Sequence, residues 1–396
     1  MLKGKRIVLG VAGGIAAYKM ADVASMLVKL HADVRVVMTK NACHFITPET
    51  FETLTGNHVY VDVFDTAGDL HVPHVNLGTS ADCLLVAPAS ADVIGKISHG
   101  IADDMLTTTV LPATCPVLLA PSMNVHMYAN KIVQDNMVML ASYGYKIIEA
   151  DTGFLACREE GKGKLPQPSV LVEHVLLACA KEHDMKGKKV LVTAGATKEA
   201  IDPVRYITNH STGKMGYAIA KMAAYRGADV TLVACDTALD DPIGVRTVHV
   251  KSAADMFMAV KTYAADMDII IKAAAVADYT PKNVAENKIK KKDDDMSIEL
   301  DRTQDILAWL GDNRRENQFI CGFSMETENL IENSRAKLIK KKVDMIAANS
   351  LKTKGAGFAG DTNVVTIITK DSMTELPLLS KEETADRLLD EIVKKQ

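Results

Sequence analysis

The chain has 396 residues, of which 48% are hydrophobic and 24% are charged, so it can form the cores of two or three globular domains. Its formal net charge of −4 excludes the strongly basic surface expected of a protein that binds nucleic acid or an anionic membrane. Seven scattered cysteines without a Cys-x-x-Cys pair, and the lack of an apolar run long enough to span a bilayer, predict a cytoplasmic protein with reduced thiols.

Apolar strand-like runs alternate with helical patterns through the first half of the chain. We expect strands near 5–11, 33–38, 83–88, 116–121 and 145–149, and helices near 14–30, 47–56, 102–110 and 128–143. Residues 151–168 have the composition of a long surface loop, and a helix is expected near 169–184. Near-continuous apolar strands between helices predict a parallel sheet that is covered on both faces.

Lys186-Gly187-Lys188 marks the expected boundary between domains 1–186 and 187–396. The second half repeats the scheme, with strands near 189–195, 229–235, 246–250, 268–275, 318–323, 343–348 and 363–369, and helices near 213–227, 252–265, 303–316, 331–342 and 382–395. Both domains are predicted to be α/β, three-layer and Rossmann-like or flavodoxin-like, each with a mainly parallel sheet. The polar segment 277–297 is expected to be a solvated loop that is functional or disordered.

Each domain begins with a strand, a glycine turn, a helix and a second strand, the unit that holds phosphate at a helix N-terminus. The first turn contains Gly13-Gly14 but neither Gly-x-Gly-x-x-Gly nor a P-loop pattern. The second strand ends at Thr39, without the acidic residue that binds an NAD ribose. The pattern favours FMN over a dinucleotide, although close packing of helix on strand explains the two glycines equally well.

Three further segments of the first half could carry chemistry. His74 precedes a strand, where a histidine is more often a cap or a core residue. Asn124 follows the fourth strand, at the edge where open α/β sheets bind ligands, but asparagines are also common turn formers. Cys157 lies in a glycine-rich loop beside Arg158, a better setting for an acid or a nucleophile than the core is.

These segments together resemble the homo-oligomeric flavin-containing cysteine decarboxylases over residues 1–185. The likeness rests on Gly-Gly-Ile-Ala-Ala-Tyr-Lys, His-x-x-Leu, Pro-x-Met-Asn-x-x-Met and the Ala-Cys loop at 153–165. It implies an FMN-dependent oxidative decarboxylation of a peptide-like C-terminal cysteine. In that reaction His74 would act beside the flavin as base or electrostatic partner, Asn124 would hold the substrate carboxylate, and Cys157 would donate a proton. The resemblance implies FMN contacts at Gly13, Gly14, Thr39, Ser90 and Met123. The sequence departs from the family pattern at Tyr128, Arg158 and Lys164.

The second half has its own set of polar residues. Arg205 could clamp a phosphate or carboxylate, and Asp278 ends a buried strand shortly before the basic run 288–292. Phe323 follows another strand and could stack on a base. Lys337 and Lys341 share one face of a helix. Surface arginines, helix caps and solvated charges would produce the same pattern.

This half resembles the phosphopantothenate–cysteine ligase domain over residues 187–396. The likeness rests on the motif at 202–216, on Ala-Ala-Val-Ala-Asp-Tyr and on Lys-Ile-Lys-Lys. The whole chain is therefore similar to the family of bacterial bifunctional decarboxylase/ligases of coenzyme A synthesis. The resemblance implies that Lys288 neutralises charge during carboxylate activation by CTP, that Asn209 orients the acyl intermediate, and that Arg205 anchors 4'-phosphopantothenate. It places Mg²⁺ on the phosphates and implies contacts with CTP by Ala273, Ala274, Asp278, Gln304, Asp305, Ile306, Leu307, Phe323, Lys337 and Lys341. Departures from the pattern are Ala196, Ala200, Cys235-Asp236 and Ser324-Met325.

Two other functions fit parts of the pattern. A flavin oxidoreductase fused to an NAD(P)-type domain is disfavoured by the missing dinucleotide glycines and by the Pro-x-Met-Asn segment. A non-enzymatic flavin-binding or nucleotide-sensing module is disfavoured by the polar sets in both halves. The resemblance further implies cysteine as a substrate and self-association, with trimers of the flavin domain and dimers of the ligase domain.

Overall fold

A computed structural model describes residues 1–65, 67, 71–290, 297–326, 328–350 and 360–396. The chain divides into two compact units, Met1–Glu182 and His183–Gln396. Part of the predicted 277–297 loop, residues 291–296, lies outside the described residues, and it includes two lysines of the basic run. Thr327 also lies outside the described residues.

Six parallel strands form the sheet of the first unit, in the order β3-β2-β1-β4-β5-β6. The strands are β1 (Arg6–Val11), β2 (Asp33–Met38), β3 (Val59–Tyr60), β4 (Cys83–Ala89), β5 (Val117–Pro121) and β6 (Lys146–Ile147). A short 3₁₀ turn at Ile15–Lys19 leads into α1 (Met20–Lys29), followed by α2 (Pro48–Thr55), α3 (Pro73–Ser80), α4 (Ala91–Ser98), α5 (Met105–Val110), α6 (Val125–Ala129), α7 (Lys131–Ser142) and α8 (Pro168–Cys179). The predicted parallel sheet is confirmed.

The expectation of a loop at 151–168 is wrong. Strands β7 (Asp151–Phe154) and β8 (Glu160–Lys164) pair as an antiparallel hairpin there. Glycine and charged residues are depleted in strands, so the composition of this segment concealed the hairpin. The sequence analysis also missed α3, α4 and β3, each of eight residues or fewer.

An eight-stranded sheet forms the centre of the second unit, in the order β13-β12-β9-β14-β17-β18-β20-β21. The strands from β13 to β18 run parallel, and β20 and β21 continue the sheet antiparallel. Its strands are β9 (Lys189–Ala194), β12 (Asp229–Cys235), β13 (Val245–Val250), β14 (Ile269–Lys272), β17 (Phe319–Glu326), β18 (Met345–Ser350), β20 (Val365–Thr369) and β21 (Met373–Glu375). The mainly parallel α/β fold predicted for both halves is therefore confirmed.

Helices and three small antiparallel pairs complete the second unit. The helices are α9 (Lys214–Tyr225), α10 (Ala253–Ala264), α11 (Ile306–Asp312), α12 (Leu330–Lys340) and α13 (Lys381–Val393). The small pairs are β10 (Lys198–Ala200) with β11 (Tyr206–Thr208), β15 (Tyr279–Pro281) with β16 (Leu300–Arg302), and β19 (Thr362–Asn363) with β22 (Leu379–Ser380). None of these three pairs was predicted from the sequence, and the first two lie beside the predicted ligase motifs.

Burial explains where the candidate residues lie. All seven residues of β4 are buried, and Leu84 and Val86 pack in one cluster with Leu77 of α3, Ile94 of α4 and Leu106 of α5. Parallel strands that are covered on both faces bring their connecting loops to the two ends of the sheet. The loops at the carboxyl ends of the strands are where open α/β sheets bind ligands.

Candidate active sites

Loops that follow three neighbouring strands of the first unit enclose a cavity of about 540 Å³. Gly13 follows β1, Thr39 follows β2 and Ser90 follows β4, and all three line the cavity. They are three of the five predicted flavin contacts. Gly14 and Met123 are not among the lining residues.

Short backbone contacts fix the shape of this cavity. A Cβ added to Gly13 would lie 2.5 Å from the Cβ of Asn41, so only glycine allows the loops after β1 and β2 to approach this closely. The Thr39 hydroxyl accepts a hydrogen bond from the Ala42 amide at 3.2 Å, and the Ser90 hydroxyl caps α4 by accepting one from the Val93 amide at 3.3 Å. These hydrogen bonds to the backbone therefore hold both hydroxyls in place at the cavity wall.

The rest of the wall carries charges that the sequence analysis did not single out. The ammonium of Lys96 lies 3.1 Å from Asp103, 3.4 Å from Asp92 and 3.5 Å from Asp104. Burial opposes the charge on Lys96, but the hydrogen bond to Asp103 and the attraction of the other two carboxylates raise its pKa. This lysine therefore stays protonated at the cavity wall.

Asn124 and Cys157 meet in a second cluster, together with Glu159. The Asn124 amide donates to Glu159 Oε2 at 2.7 Å and to Cys157 Sγ at 3.3 Å, and the Cys157 thiol donates to Glu159 Oε2 at 3.5 Å. The bonds from Asn124 and Cys157 lower the pKa of Glu159. Sequence reasoning missed Glu159 because a carboxylate in a polar loop is usually just solvated.

The hairpin β7–β8 brings Cys157 to Asn124. The Met123 amide donates to the Gly163 carbonyl at 3.0 Å, and a Cβ on Gly163 would lie 2.5 Å from the Met123 carbonyl oxygen. At the hairpin tip Arg158 has a φ of +66°, in the left-handed region that favours glycine. The chain therefore adopts a glycine-type conformation at Arg158, one of the positions where the sequence departs from the pattern that it resembles.

His74 lies near the start of α3. It is not among the residues that line the 540 Å³ cavity. Its Nδ1 atom is buried and has no hydrogen-bond partner within the described part of the chain. A buried ring nitrogen without a partner is unfavourable, so it is available to a ligand or to another chain.

Two adjoining cavities occupy the carboxyl edge of the sheet in the second unit. The smaller, of about 420 Å³, contains Asn209, Ala273, Ala274 and Phe323. The larger, of about 780 Å³, contains the other predicted contacts Gln304, Asp305, Ile306, Leu307 and Lys341. Four residues line both cavities: Lys272, Val276, Asp278 and Lys337. The structure therefore brings together all ten residues predicted to contact CTP.

Hydrogen bonds position the side chains on these walls. The Asn209 amide donates to the Ala275 carbonyl at 3.2 Å, and the Lys337 ammonium donates to the Phe323 carbonyl at 2.9 Å. The Lys341 ammonium pairs with Asp305, whose other oxygen caps α11. Burial raises the pKa of Asp305, but Lys341 and the cap outweigh it and lower the pKa overall.

Arg205 and Lys288 line neither cavity. The Arg205 guanidinium donates to the Asp202 carboxylate at 2.5 and 3.0 Å and to the Ile289 carbonyl at 2.8 Å, and the Ile289 amide donates to Asp202 at 3.1 Å. Arg205 holds the pKa of Asp202 well below its usual range. This ion pair fixes the backbone next to Lys288, whose side chain is exposed. Sequence reasoning missed Asp202, although it opens the quoted motif.

No group of three or more His, Cys, Asp or Glu side chains within the described ranges could hold a metal ion. None of the described helices combines the length and the apolar character that crossing a membrane requires.

Comparisons with known proteins identify the family. Residues 1–179 match the family model "Flavoprotein", and residues 185–395 match "DNA/pantothenate metabolism flavoprotein C-terminal domain". The coenzyme A biosynthesis bifunctional protein CoaBC of Bacillus subtilis (strain 168) is 47% identical over 396 residues, covering 99% of this chain and 97% of that protein. The chain belongs to the CoaBC family. The Escherichia coli (strain K12) member is 40% identical over 395 residues, with 99% and 97% coverage.

Solved structures resemble each half of this CoaBC protein. The crystal structure of a CoaBC C-terminal domain is 44% identical, covers 54% of this chain and 98% of its own, and has a TM-score of 0.47. The FMN-dependent cysteine decarboxylase SpaF is 34% identical, covers 44% of this chain and 99% of its own, and has a TM-score of 0.39.

Membership confirms the resemblance found for each half. The chain is a bifunctional enzyme of coenzyme A biosynthesis, with a flavoprotein decarboxylase half followed by a ligase half. The NAD(P)-type oxidoreductase and the non-enzymatic module are set aside.

Proposed function

We propose that residues 187–396 join cysteine to 4'-phosphopantothenate through an acyl-CMP intermediate, converting CTP to CMP and pyrophosphate. Residues 1–186 would then decarboxylate the product to 4'-phosphopantetheine with FMN. The observation that carries the decarboxylation is the Asn124–Cys157 contact at 3.3 Å, because it joins the predicted carboxylate-binding group to the predicted proton donor. We further propose that the protein acts in the cytoplasm as a homo-oligomer, with trimers of the first domain and dimers of the second.

The residues of the first unit fit a flavin mononucleotide. A cavity of 540 Å³ is in the range of small-molecule sites. The loops after β1 and β2 approach each other closely at Gly13, and the absence of a side chain there leaves backbone at the cavity wall. Gly13, Gly14, Thr39, Ser90 and Met123 would hold FMN, and the buried Nδ1 of His74 would gain a partner beside it. When bound, the flavin would supply oxidation of the thiol-bearing carbon.

Asn124 and Cys157 would handle the carboxylate and the proton. The Asn124 amide already binds a carboxylate, that of Glu159, at 2.7 Å, so it can bind the substrate carboxylate in the same way. Cys157 would donate the proton on Sγ to the decarboxylated product. Glu159 accepts a hydrogen bond from that thiol at 3.5 Å and would orient it.

The cavities of the second unit fit an anionic nucleotide. Lys272 and Lys337 line both cavities, and Lys341 lines the larger one. Their charges, with that of Lys288, would stabilise the negative charge that builds up as the pantothenate carboxylate attacks the α-phosphate. Pyrophosphate would leave, and Asn209 would orient the acyl cytidylate for attack by the cysteine amine. Arg205 would anchor phosphopantothenate only with the guanidinium N–H groups that do not already donate to Asp202 and Ile289.

Magnesium would bind through the phosphates rather than in a protein cage. Mg²⁺ in nucleotide sites is usually held by one or two carboxylates together with substrate phosphates. Asp278 lines both cavities and Asp305 lines the larger one, so the residues present fit such an ion.

Incubation with phosphopantothenate, CTP and cysteine tests the proposal, with pyrophosphate and CO2 followed together. We expect one CO2 for each pyrophosphate, after a lag while the ligated product accumulates. Omission of CTP should abolish both signals. Release of CO2 without CTP, or a colourless protein that does not bind FMN, would contradict the assignment.

A further inference from the structure

Lys272 is the last residue of β14, the strand between β9 and β17 in the second unit. The preceding residues of this strand are buried, whereas Lys272 is only half buried and lines both the smaller and the larger cavity. The sequence predicted a strand near 268–275, which would place Lys272 in its middle. In the structure the strand ends at Lys272, and this lysine lies in the proposed ligand site.

Two neighbouring lysines, one on the shared wall and one in the larger cavity, have different partners. Lys341 pairs with the Asp305 carboxylate, and Lys337 donates to the Phe323 carbonyl. Lys272 donates to the carbonyl of Ala274 at 3.1 Å, and it forms no ion pair with any described residue. A half-buried ammonium whose only partner in the described part of the chain is a neutral carbonyl can accept an anion without losing an ion pair there.

The surrounding charges make this ammonium responsive to an anion. Burial, and next the positive charge of Lys337, lower the pKa of Lys272 to about 8. Lys341 acts in the same direction, while the carboxylates of Asp305 and Asp278 oppose it. At pH 8 about half of the Lys272 amines are therefore protonated.

We propose that Lys272 binds the phosphate chain of the nucleotide at the wall shared by the two cavities. This inference rests on the proposed ligase function. Nothing in the family resemblance assigned this side chain a role. Arrival of the phosphates favours the charged form of the amine, so binding takes up protons from solution. The uptake grows as the pH rises through 8 towards the midpoint of the free and bound pKa values, and it disappears at pH 6, where the amine is already charged.

Calorimetric titration of the full chain with magnesium-CTP tests this role, in buffers of different ionisation enthalpy at pH 8. We expect uptake of about half a proton per CTP. Lys272→Met should abolish the uptake and weaken binding about 10- to 100-fold, which corresponds to one charge-assisted hydrogen bond. Lys272→Arg should retain the affinity for CTP without proton uptake, because the guanidinium group is charged in both the free and the bound state. If the methionine variant unfolds, the loss of proton uptake in the arginine variant still tests the role of Lys272.

Lys261→Met is the matched control, since Lys261 is an exposed lysine of α10 outside both cavities. It should bind and take up protons like the unmodified chain. Unchanged affinity or unchanged uptake in Lys272→Met would overturn the role of Lys272. If none of the proteins binds CTP, the proposed ligase function fails instead.

Discussion

Replacement of Gly163 by alanine tests whether the hairpin β7–β8 aligns Cys157 with Asn124. A Cβ at Gly163 would lie 2.5 Å from the Met123 carbonyl oxygen, whereas ordinary contacts begin at 3.4 Å. The hairpin must therefore retreat by about 0.9 Å, which would lengthen the Cys157 Sγ to Asn124 Nδ2 distance from 3.3 Å to roughly 4 Å. A misplacement of about 1 Å at reacting groups costs on the order of 100-fold in rate.

Single-turnover formation of the protonated product, 4'-phosphopantetheine, by the FMN-loaded chain measures this effect. We expect a drop of about 100-fold with the amount of bound flavin unchanged, because Gly163 does not line the 540 Å³ cavity. Pyrophosphate release in the second unit should be unaffected and serves as an internal check on folding.

Gly153→Ala is the matched control within the same hairpin. Gly153 also has a positive φ, of +157°, but a Cβ there would meet only the flexible end of Lys164 at 3.5 Å. This variant carries backbone strain without the collision, so its rate should stay within about threefold. Equal rates for the two variants, or a full rate for Gly163→Ala, would refute the argument from alignment.

Three further predictions follow from the described contacts. Cys157→Ser should keep FMN bound but slow product release about 10²- to 10⁴-fold, as expected for loss of a proton donor; full turnover in a stopped assay would disprove that role. Lys288→Gln should prevent formation of the acyl cytidylate while Asn209→Asp lets it accumulate, and equal levels of the intermediate by mass spectrometry would show that the division of roles is wrong. Arg226→Met should destabilise the second unit by about 2–4 kcal/mol, because it removes the ion pairs that the buried guanidinium forms with Asp184 and Asp390 at 2.9 and 2.8 Å. In thermal unfolding Arg387→Met should have almost no effect, since its pair with Asp390 is exposed and 3.7 Å long; similar losses in both would exclude this explanation.

The parallel sheets could be predicted because their strands are buried on both faces. The strand β4 is an unbroken run of buried residues, and its neighbours show the same pattern. Turn glycines and polar residues after these strands then pointed to the edge where the cavities form. Asn124 and Phe323 were singled out in this way, whereas Lys337 was singled out with Lys341 by their spacing on one helix face.

Residues that act through tertiary neighbours could not be predicted in the same way. Glu159 can be recognised as part of the site only from its hydrogen bond with Asn124, which the hairpin brings about. Asp202 can be recognised only from its hydrogen bond with the Ile289 amide, 87 residues further along the chain. Lys272 looked like part of a longer strand, because nothing local shows that β14 ends there. The buried Nδ1 of His74 likewise has no signature in the sequence.

The bond between Asn124 and Glu159 has a thermodynamic consequence for substrate binding. Because the amide is already satisfied by a carboxylate, an arriving substrate exchanges one ionic hydrogen bond for another and gains little affinity there. The tethered carboxylate also competes at a high effective concentration, so a weakly bound acid cannot displace it. Affinity must then come from parts of the substrate far from the reacting cysteine, and Asn124 contributes selectivity. In the proposed decarboxylation site, Glu159 would thereby protect the free enzyme from small carboxylic acids.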